Sequence, residues 1–189
     1  MIAAIIIAGG TARRFGGKDK ALITFNGKAL IDHVIEHVSP QIDQLAINRS
    51  TPLQGYDLTS IADIDDGKPG PIGGLEAAIV WADALHHPPS YLLTVPVDTP
   101  FLPHDLVAKL LPAAESNGAA VATSRSGLQP TISLHKLGHI SLETISHYKH
   151  RAFKDFWQAI GAEEIPFEEE DAFININSPA DIERHQKRG

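Results

Sequence analysis

The chain has 189 residues and a formal net charge of −7, with 43% hydrophobic residues, 21% charged residues and no cysteine. This length and composition suit one well-filled domain of a soluble globular protein. The missing cysteines exclude disulfides, thiolate zinc sites and a cysteine nucleophile, and the acidic balance argues against a nucleic-acid partner. No apolar run approaches the roughly 20 residues of a membrane span and no signal peptide is recognisable, so we expect a cytoplasmic protein without a membrane partner.

Strands and helices alternate along the chain. The β-branched run at residues 3–8 predicts a strand buried on both faces, and Asn26-Gly27 predicts a turn before a helix from Leu30 to Val38. Further strands are predicted at 44–48, 58–62, 91–98, 119–123, 131–135 and 172–176. Further helices are predicted at 75–86, 103–114, 137–148 and 152–160, and a last helix begins at Ser178-Pro179 with Asp181 in its first turn. The alternation predicts an α/β fold in which residues 1–189 form a single domain with a doubly wound, mostly parallel sheet and helices on both faces.

Ligands of such sheets bind beyond the carboxyl ends of the strands. Glycine and polar residues stand at the ends of several predicted strands: Gly9 and Gly10, Asn48, Asp63, Asp98, and Asn175 with Asn177. Because parallel strands end at one edge of the sheet, these residues predict a polar rim there.

Each polar residue of this rim also has a simpler structural interpretation. Asp63 begins the acidic turn DIDD, and Asp98 precedes the helix predicted near Pro103, which it would cap. Asn48 is a common turn former after a strand, and Asn177 would help to begin the last helix.

The loop after the first strand is rich in glycine and strongly basic. Residues 10–20 carry four basic side chains and one acidic side chain, a local charge of +3. Glycines let backbone N–H groups approach a ligand, and cationic side chains supply countercharge, so the loop predicts a polyphosphate site rather than a solvated turn. It is not a Walker A loop, because Asp19 follows Lys18 and Ala12 stands where the first glycine is required. The dinucleotide pattern G-x-G-x-x-G is absent too.

The stretch IAGGTARRFGGKDKAL, residues 7–22, resembles the signature L-A-G-G-x-x-x-R-x-G-x-x-K-x-L of the molybdenum cofactor guanylyltransferases, a nucleotidyltransferase family with a Rossmann-like fold. Residues 63–75 resemble the family's Asp followed by P-G-P-x-x-G, residues 95–103 its D-T-P, and residues 172–182 its N-x-N-T/S-P. Four motifs in family order span almost the whole chain. The related cytidylyltransferases resemble L-A-A-G-x-S-x-R-M-G, from which Gly9 and Ala12 depart; that activity and other small-molecule nucleotidyl transfer remain alternatives.

The resemblance implies that GMP passes from GTP to the terminal phosphate of (Mo-)molybdopterin. By resemblance, the Gly9-Gly10 backbone holds the triphosphate, Arg14 neutralises the pyrophosphate leaving group, and Lys20 neutralises charge at the α-phosphate. Asp98 would hold Mg²⁺, a hard cation that prefers carboxylate and phosphate oxygens.

The remaining implied contacts belong to the base and to the acceptor. Residues 7–9, namely Ile7, Ala8 and Gly9, would frame the guanine, Asn48 would lie near the nucleoside, and Asp63 would read polar groups of base or ribose. Arg151, Asn175 and Asn177 would bind the acceptor. The implied protein partners are molybdenum-cofactor insertion proteins or molybdoenzyme chaperones, in transient contact. A non-catalytic nucleotide-binding module is the competing class, but it would not require Arg14, Lys20 and Asp98 together.

Two other patterns receive structural interpretations. HVIEH, residues 33–37, matches the H-x-x-E-H pattern of some zinc peptidases but falls within a predicted helix, so we assign its histidines to that helix's polar edge. The acidic run at 168–171 predicts a solvated loop.

Overall fold

A computed structural model describes residues 1–8, 15–64, 71–148, 152–169 and 171–186. Within these ranges the strands are β1 (Ile2–Ile7), β2 (Thr24–Phe25), β3 (Lys28–Ala29), β4 (Gln44–Asn48), β5 (Thr59–Ile61), β6 (Tyr91–Pro96), β7 (Ala119–Ser124), β8 (Gly127–Lys136) and β9 (Glu163–Pro166). The α-helices are α1 (Leu30–Val38), α2 (Pro71–Asp83), α3 (Leu106–Asn117), α4 (Leu142–Tyr148), α5 (Phe153–Ala159) and α6 (Pro179–His185). None of the helices in the described ranges combines the length and apolar character that a membrane span requires.

In the described part of the chain, seven strands form one sheet in the order β5-β4-β1-β6-β8-β7-β9, and β2 pairs with β3 as a separate hairpin. Strand β8 runs antiparallel to β6 and β7, and the other neighbours are parallel. The mostly parallel sheet is therefore confirmed. The chain first adds β4 and β5 on one side of β1 and then places β6 on its other side. This reversal makes the carboxyl end of β1 a topological switch point, where α/β proteins bind ligands.

Residues 3–7 of β1 are all buried, as its continuous apolar run predicts. Because strand side chains alternate between faces, Ala4 and Ile6 pack with α1 and α3, whereas Ala3, Ile5 and Ile7 pack with α2 and α5. One strand thus serves two cores, and the helices lie on both faces of the sheet, as predicted.

The predicted strand at 172–176 is wrong, because this segment is irregular. Phe173 has a φ of +67°, which no regular strand accommodates. The apolar spacing that suggested a strand instead reflects burial of Ala172, Phe173 and Ile176 along a loop. The face that Asn175 and Asn177 would have shared on a strand is therefore not formed.

The sequence did not predict the edge strand β9. Its residues, EEIP, are mostly exposed and show no apolar alternation, since only one side of the strand pairs, with β7. Several predicted bounds also move: the helix predicted at 75–86 is α2, from Pro71 to Asp83, and the helix predicted at 137–148 begins at Leu142. The helix predicted at 103–114 is α3, and the strand predicted at 131–135 extends in β8 from Gly127 to Lys136.

Candidate active site

The polar rim lies at the carboxyl ends of β1, β4, β5 and β6. Strand register places Asn48 between Ile7 and Ile61, and Ile7 between Asn48 and Pro96. Asp63 and Asp98 follow two residues beyond Ile61 and Pro96. The fold therefore brings Ile7, Ala8, Asn48, Asp63 and Asp98 to one edge of the sheet. Gly9, Gly10 and Arg14 lie outside the described residues, as does Arg151.

Lys20 joins this edge from the loop between β1 and the hairpin. It begins a 3-10 turn, Lys20–Leu22, which Asp19 caps by accepting a hydrogen bond from the Ala21 N–H at 3.1 Å. The Lys20 ammonium lies 2.6 Å from Asp98 Oδ2 and 2.5 Å from Asn177 Oδ1. The Lys20 and Asp98 side chains are only 19% and 17% exposed, so their charges are screened less than those of a surface pair.

The segment before α6 is joined to the loop that carries Asp98. The Ile176 N–H donates to the Asp98 carbonyl at 2.8 Å, and the Thr99 hydroxyl donates to Asn175 Oδ1 at 2.9 Å. Thr99 is buried, whereas Asn175 is exposed. Asn175 and Asn177 thus reach the candidate site on a loop rather than on a strand, and Asn177 meets Lys20 there.

The predicted beginning of α6 is confirmed, with Ser178 as the N-cap and Pro179 in the first turn. The Asn177 N–H and the Ser178 hydroxyl donate to the Asp181 carboxylate. Burial raises the pKa of Asp181, but these hydrogen bonds outweigh it and hold the pKa below its usual value. The charged carboxylate therefore secures the backbone on which the Asn177 side chain is presented to Lys20.

Asn48 is buried, and its amide nitrogen donates to the Ile61 carbonyl at 3.1 Å and to Asp63 Oδ1 at 2.8 Å. The first turn of α2 packs against this pair. A Cβ on Gly74 would lie 2.6 Å from Asn48 Oδ1 and 2.9 Å from Ile7 Cδ1. Glycine at position 74 is therefore what lets the helix approach Asn48, which in turn orients Asp63.

The histidines of HVIEH make other contacts. His33 Nε2 lies 2.8 Å from the Phe25 carbonyl oxygen, and the His37 ring stacks on His104 with 4.3 Å between centroids. Burial and the neighbouring His104 lower the pKa of His37. In the acidic run, Glu169 pairs with Lys109 across 2.9 Å. Across the described ranges, no group of three or more His, Cys, Asp or Glu side chains is arranged to hold a metal ion.

Four residues of the site escaped the sequence analysis as functional candidates. Asp19 and Thr99 are neighbours of Lys20 and Asp98, Arg49 pairs with Asp19, and Gly74 contacts Asn48. Gly74 and Thr99 carried a local signal, since Gly74 ends the P-G-P-x-x-G stretch and Thr99 is the middle residue of D-T-P. The roles of Asp19 and Arg49 depend on a contact between distant parts of the chain.

The ammonium of Lys20, the carboxylate of Asp98 and the amide oxygen of Asn177 converge at the switch point of a doubly wound sheet, in a chain whose sequence is basic and rich in glycine after β1. On this fold, that combination suits an enzyme that transfers a nucleotidyl group. Residues 4–160 match the family model described as the MobA-like NTP transferase domain, and the chain belongs to that family.

Named relatives extend this similarity over nearly the whole chain. A molybdenum cofactor guanylyltransferase from Shewanella sp. (strain ANA-3) is 37% identical over 190 residues, covering 97% of this chain and 94% of the relative. One from Shewanella frigidimarina is 40% identical over 187 residues, covering 94% and 92%. The crystal structure of molybdopterin-guanine dinucleotide biosynthesis protein A from Archaeoglobus fulgidus superimposes with a TM-score of 0.74 and 20% identity, covering 100% of this chain and 98% of that one.

Proposed function

We propose that the chain transfers GMP from GTP to the terminal phosphate of molybdopterin, giving molybdopterin guanine dinucleotide and pyrophosphate. The observation that carries the proposal is the convergence of Lys20 and Asp98 at the sheet edge, in a chain whose relatives are guanylyltransferases over almost their full length. An oxygen of the molybdopterin phosphate attacks the α-phosphorus of GTP. A new P–O bond forms, and the bond to the bridging oxygen breaks as pyrophosphate departs with the electron pair.

Such displacement needs positioning and charge neutralisation more than covalent chemistry from the protein. In our proposal Lys20 neutralises the charge that develops on the α-phosphate. Asp63 reads polar groups of the base or ribose, and Asn48 holds its carboxylate in place. Ile7 and Ala8 frame the guanine. Gly9, Gly10 and Arg14 retain the roles implied by the family signature, at the triphosphate and its leaving group.

The residues present fit magnesium. Asp98 supplies one carboxylate, and Mg²⁺ in nucleotide enzymes is held by one or two carboxylates together with substrate phosphates rather than by an all-protein cage. When bound, the ion offsets phosphate charge and orients the triphosphate. We therefore propose Asp98 as its protein ligand and Mg²⁺ as the cofactor.

Residues 1–189 act as one catalytic domain in this proposal. The family model ends at residue 160, but the later segment contacts the site through the hydrogen bond from Ile176 to the Asp98 carbonyl and through Asn177 on Lys20. Asn175 and Asn177 are proposed to bind the acceptor through their amide nitrogens, since their oxygens are engaged by Thr99 and Lys20. Arg151 is proposed as a further acceptor contact.

The natural setting in this proposal is the cytoplasm, where GTP is available. The product would pass to molybdenum-cofactor insertion proteins or molybdoenzyme chaperones through transient contact.

The proposal is tested by pyrophosphate release with ATP, GTP, CTP and UTP, each with and without molybdopterin, in the presence of Mg²⁺. We expect release with GTP that depends on molybdopterin, and far slower release with CTP. Equal rates with GTP and CTP would contradict guanylyl transfer, and release that ignores molybdopterin would contradict the acceptor.

A further inference from the structure

Asp19 and Lys20 are chain neighbours whose partners lie on opposite sides of β1. Lys20 reaches Asp98 beyond the end of β6, and Asp19 Oδ2 lies 2.8 Å from Nη2 of Arg49, the residue directly after β4. Strands β4 and β6 are the two neighbours of β1 in the sheet. The dipeptide Asp19-Lys20 therefore bridges the carboxyl end of β1, where the glycine-rich loop leaves the sheet.

The pair of Arg49 with Asp19 is more enclosed than an ordinary surface pair. Its side chains are 17% and 35% exposed, compared with 52% and 56% for Lys28 and Glu36. Exposed pairs contribute little because water and salt screen them, whereas the largely buried Arg49 side chain, only 17% exposed, is screened less even though Asp19 remains partly exposed.

Contacts connect Arg49 to Lys20 without interruption. The Arg49 N–H donates to the Ile61 carbonyl at 2.8 Å, which fixes the residue to the end of β5. Its guanidinium then holds one oxygen of Asp19, and the other oxygen accepts from the Ala21 N–H to cap the 3-10 turn. Lys20 is the first residue of that turn.

We propose that Arg49 is a positioning residue for Lys20. Through Asp19 it anchors the turn from which the Lys20 ammonium extends to Asp98 and to the nucleotide. The expected effect of Arg49 on the rate of GMP transfer rests on the proposed function, whereas its effect on the position of the Lys20 ammonium does not.

The first experiment measures Lys20 in the protein without metal or nucleotide. Trace acylation with acetic anhydride, followed by fragment-ion sequencing of peptides, reports the reactivity of each lysine. In Arg49→Met we expect Lys20 to acylate several-fold faster than in the wild type, because its enclosed pairing with Asp98 loosens. In Arg49→Lys, which keeps the charge, the acylation rate of Lys20 should lie between those of the wild type and Arg49→Met. Glu36→Gln, which breaks the exposed pair with Lys28, is the matched control and should leave Lys20 unchanged.

The second experiment measures GMP transfer in two backgrounds. In the otherwise wild-type chain, Arg49→Met should lower kcat by about tenfold and leave the KM for GTP within about twofold, because a transition-state contact is lost. In a Lys20→Met background, Arg49→Met should cause no further loss, since two residues that act through one contact are not additive. Asp19→Asn keeps an oxygen for the Ala21 N–H but removes the negative charge that pairs with Arg49. It should therefore reproduce the effects of Arg49→Met, and it replaces that variant in the test if Arg49→Met does not fold.

Equal losses of kcat in both backgrounds, or unchanged reactivity of Lys20 in both Arg49→Met and Asp19→Asn, would overturn the proposal and leave Arg49 with a merely structural role. If the wild-type chain does not transfer GMP, the proposed function fails, and the acylation rates still decide whether Arg49 positions Lys20.

Discussion

Lys20 and Asp98 are 78 residues apart in the chain, yet Lys20 Nζ lies 2.6 Å from Asp98 Oδ2 at the carboxyl edge of the sheet. The pair joins the loop after β1 to the loop after β6, the two strands that flank the switch point. Each member is proposed to meet the triphosphate, Lys20 directly and Asp98 through magnesium, so in the proposed function the nucleotide phosphates bind at this pair.

Asp98→Asn keeps the size of the side chain and an oxygen for Lys20 but removes the negative charge. We expect the protein to fold and turnover to fall by on the order of a hundredfold or more, as when a main electrostatic group is removed. The Mg²⁺ concentration for half-maximal rate should rise. Steady-state kinetics across a Mg²⁺ series measures both effects. Asp105→Asn, at an exposed ion pair with Lys109, is the control and should behave as the wild type. If Asp98→Asn keeps nearly full activity at the Mg²⁺ concentration that suffices for the wild type, Asp98 is not a ligand of the metal.

Asn177→Ala removes the second oxygen that holds the Lys20 ammonium. We expect kcat to fall by about tenfold with little change in GTP affinity, because Lys20 is proposed to act in the transition state. The stability loss should stay near 1 kcal/mol, since the N–H of residue 177 can still donate to Asp181. Kinetics and thermal unfolding of the same preparation separate the two effects. Loss of GTP binding with unchanged kcat would contradict this role.

Asn175→Asp tests the acceptor contact. The aspartate keeps an oxygen for the Thr99 hydroxyl, so a buried donor is not left unpaired, but it loses the amide N–H donor and gains a negative charge. The KM for molybdopterin should rise by about tenfold or more, because a phosphate-bearing acceptor is then repelled. The KM for GTP and the thermal midpoint should change little. An unchanged KM for molybdopterin would exclude Asn175 from the acceptor site.

Gly74→Ala should disturb the nucleotide site through packing alone. The new Cβ would lie 2.6 Å from Asn48 Oδ1, so α2 or Asn48 must move, at a cost of about 1–3 kcal/mol and with weaker GTP binding. Gly73→Ala is the matched control for stability, because its Cβ would lie 3.6 Å from Asp63 Cγ, an ordinary contact. That variant should be as stable as the wild type or gain up to about 1 kcal/mol from helix propensity. Chemical denaturation and calorimetric GTP titration measure these effects, and equal stabilities of the two variants would refute the close approach.

We expect the buried His135 to lower the free energy of unfolding as the pH becomes acidic. Its side chain is fully buried on β8, and burial, with a smaller contribution from His139, lowers its pKa to about 3. The unfolded chain takes up a proton at this residue near pH 6.5 and the folded chain does not until about pH 3. The contribution of neutral His135 to the free energy of unfolding is therefore fully present above pH 6.5. It declines as the pH falls from 6.5 towards 3, by up to about 1.4 kcal/mol per pH unit.

Urea denaturation of His135→Leu from pH 7 to pH 4 tests this effect. The free energy of unfolding of this variant should depend less steeply on pH than that of the wild type, by the uptake of about one proton on unfolding. Identical pH dependences for His135→Leu and the wild type would show that the buried imidazole takes up a proton in the folded state.

Local pattern was enough for the elements at the centre of the fold. Helix α1, at Leu30–Val38, and strand β4, at 44–48, have the predicted bounds, because apolar spacing and turn residues act over a few neighbouring positions. Local pattern also located the buried strands β1 and β6, to within one or two residues at each end, and the Ser178 cap. The positions of Asn48, Asp63 and Asp98 at one edge followed from the alternation of strands and helices, since parallel strands end together.

Only the tertiary structure revealed which of these side chains meet. Neither the pairing of Arg49 with Asp19 nor the contact of Asn177 with Lys20 leaves a local pattern, because each joins segments that are distant in the chain. For the same reason β9 was missed and the loop at 172–176 was predicted as a strand: strand pairing at an edge and burial of a loop both depend on the neighbours that the fold supplies. The local sequence pattern thus determined most of the strands and the sheet edge at which their polar residues lie. Long-range packing determined which charged side chains pair at that edge.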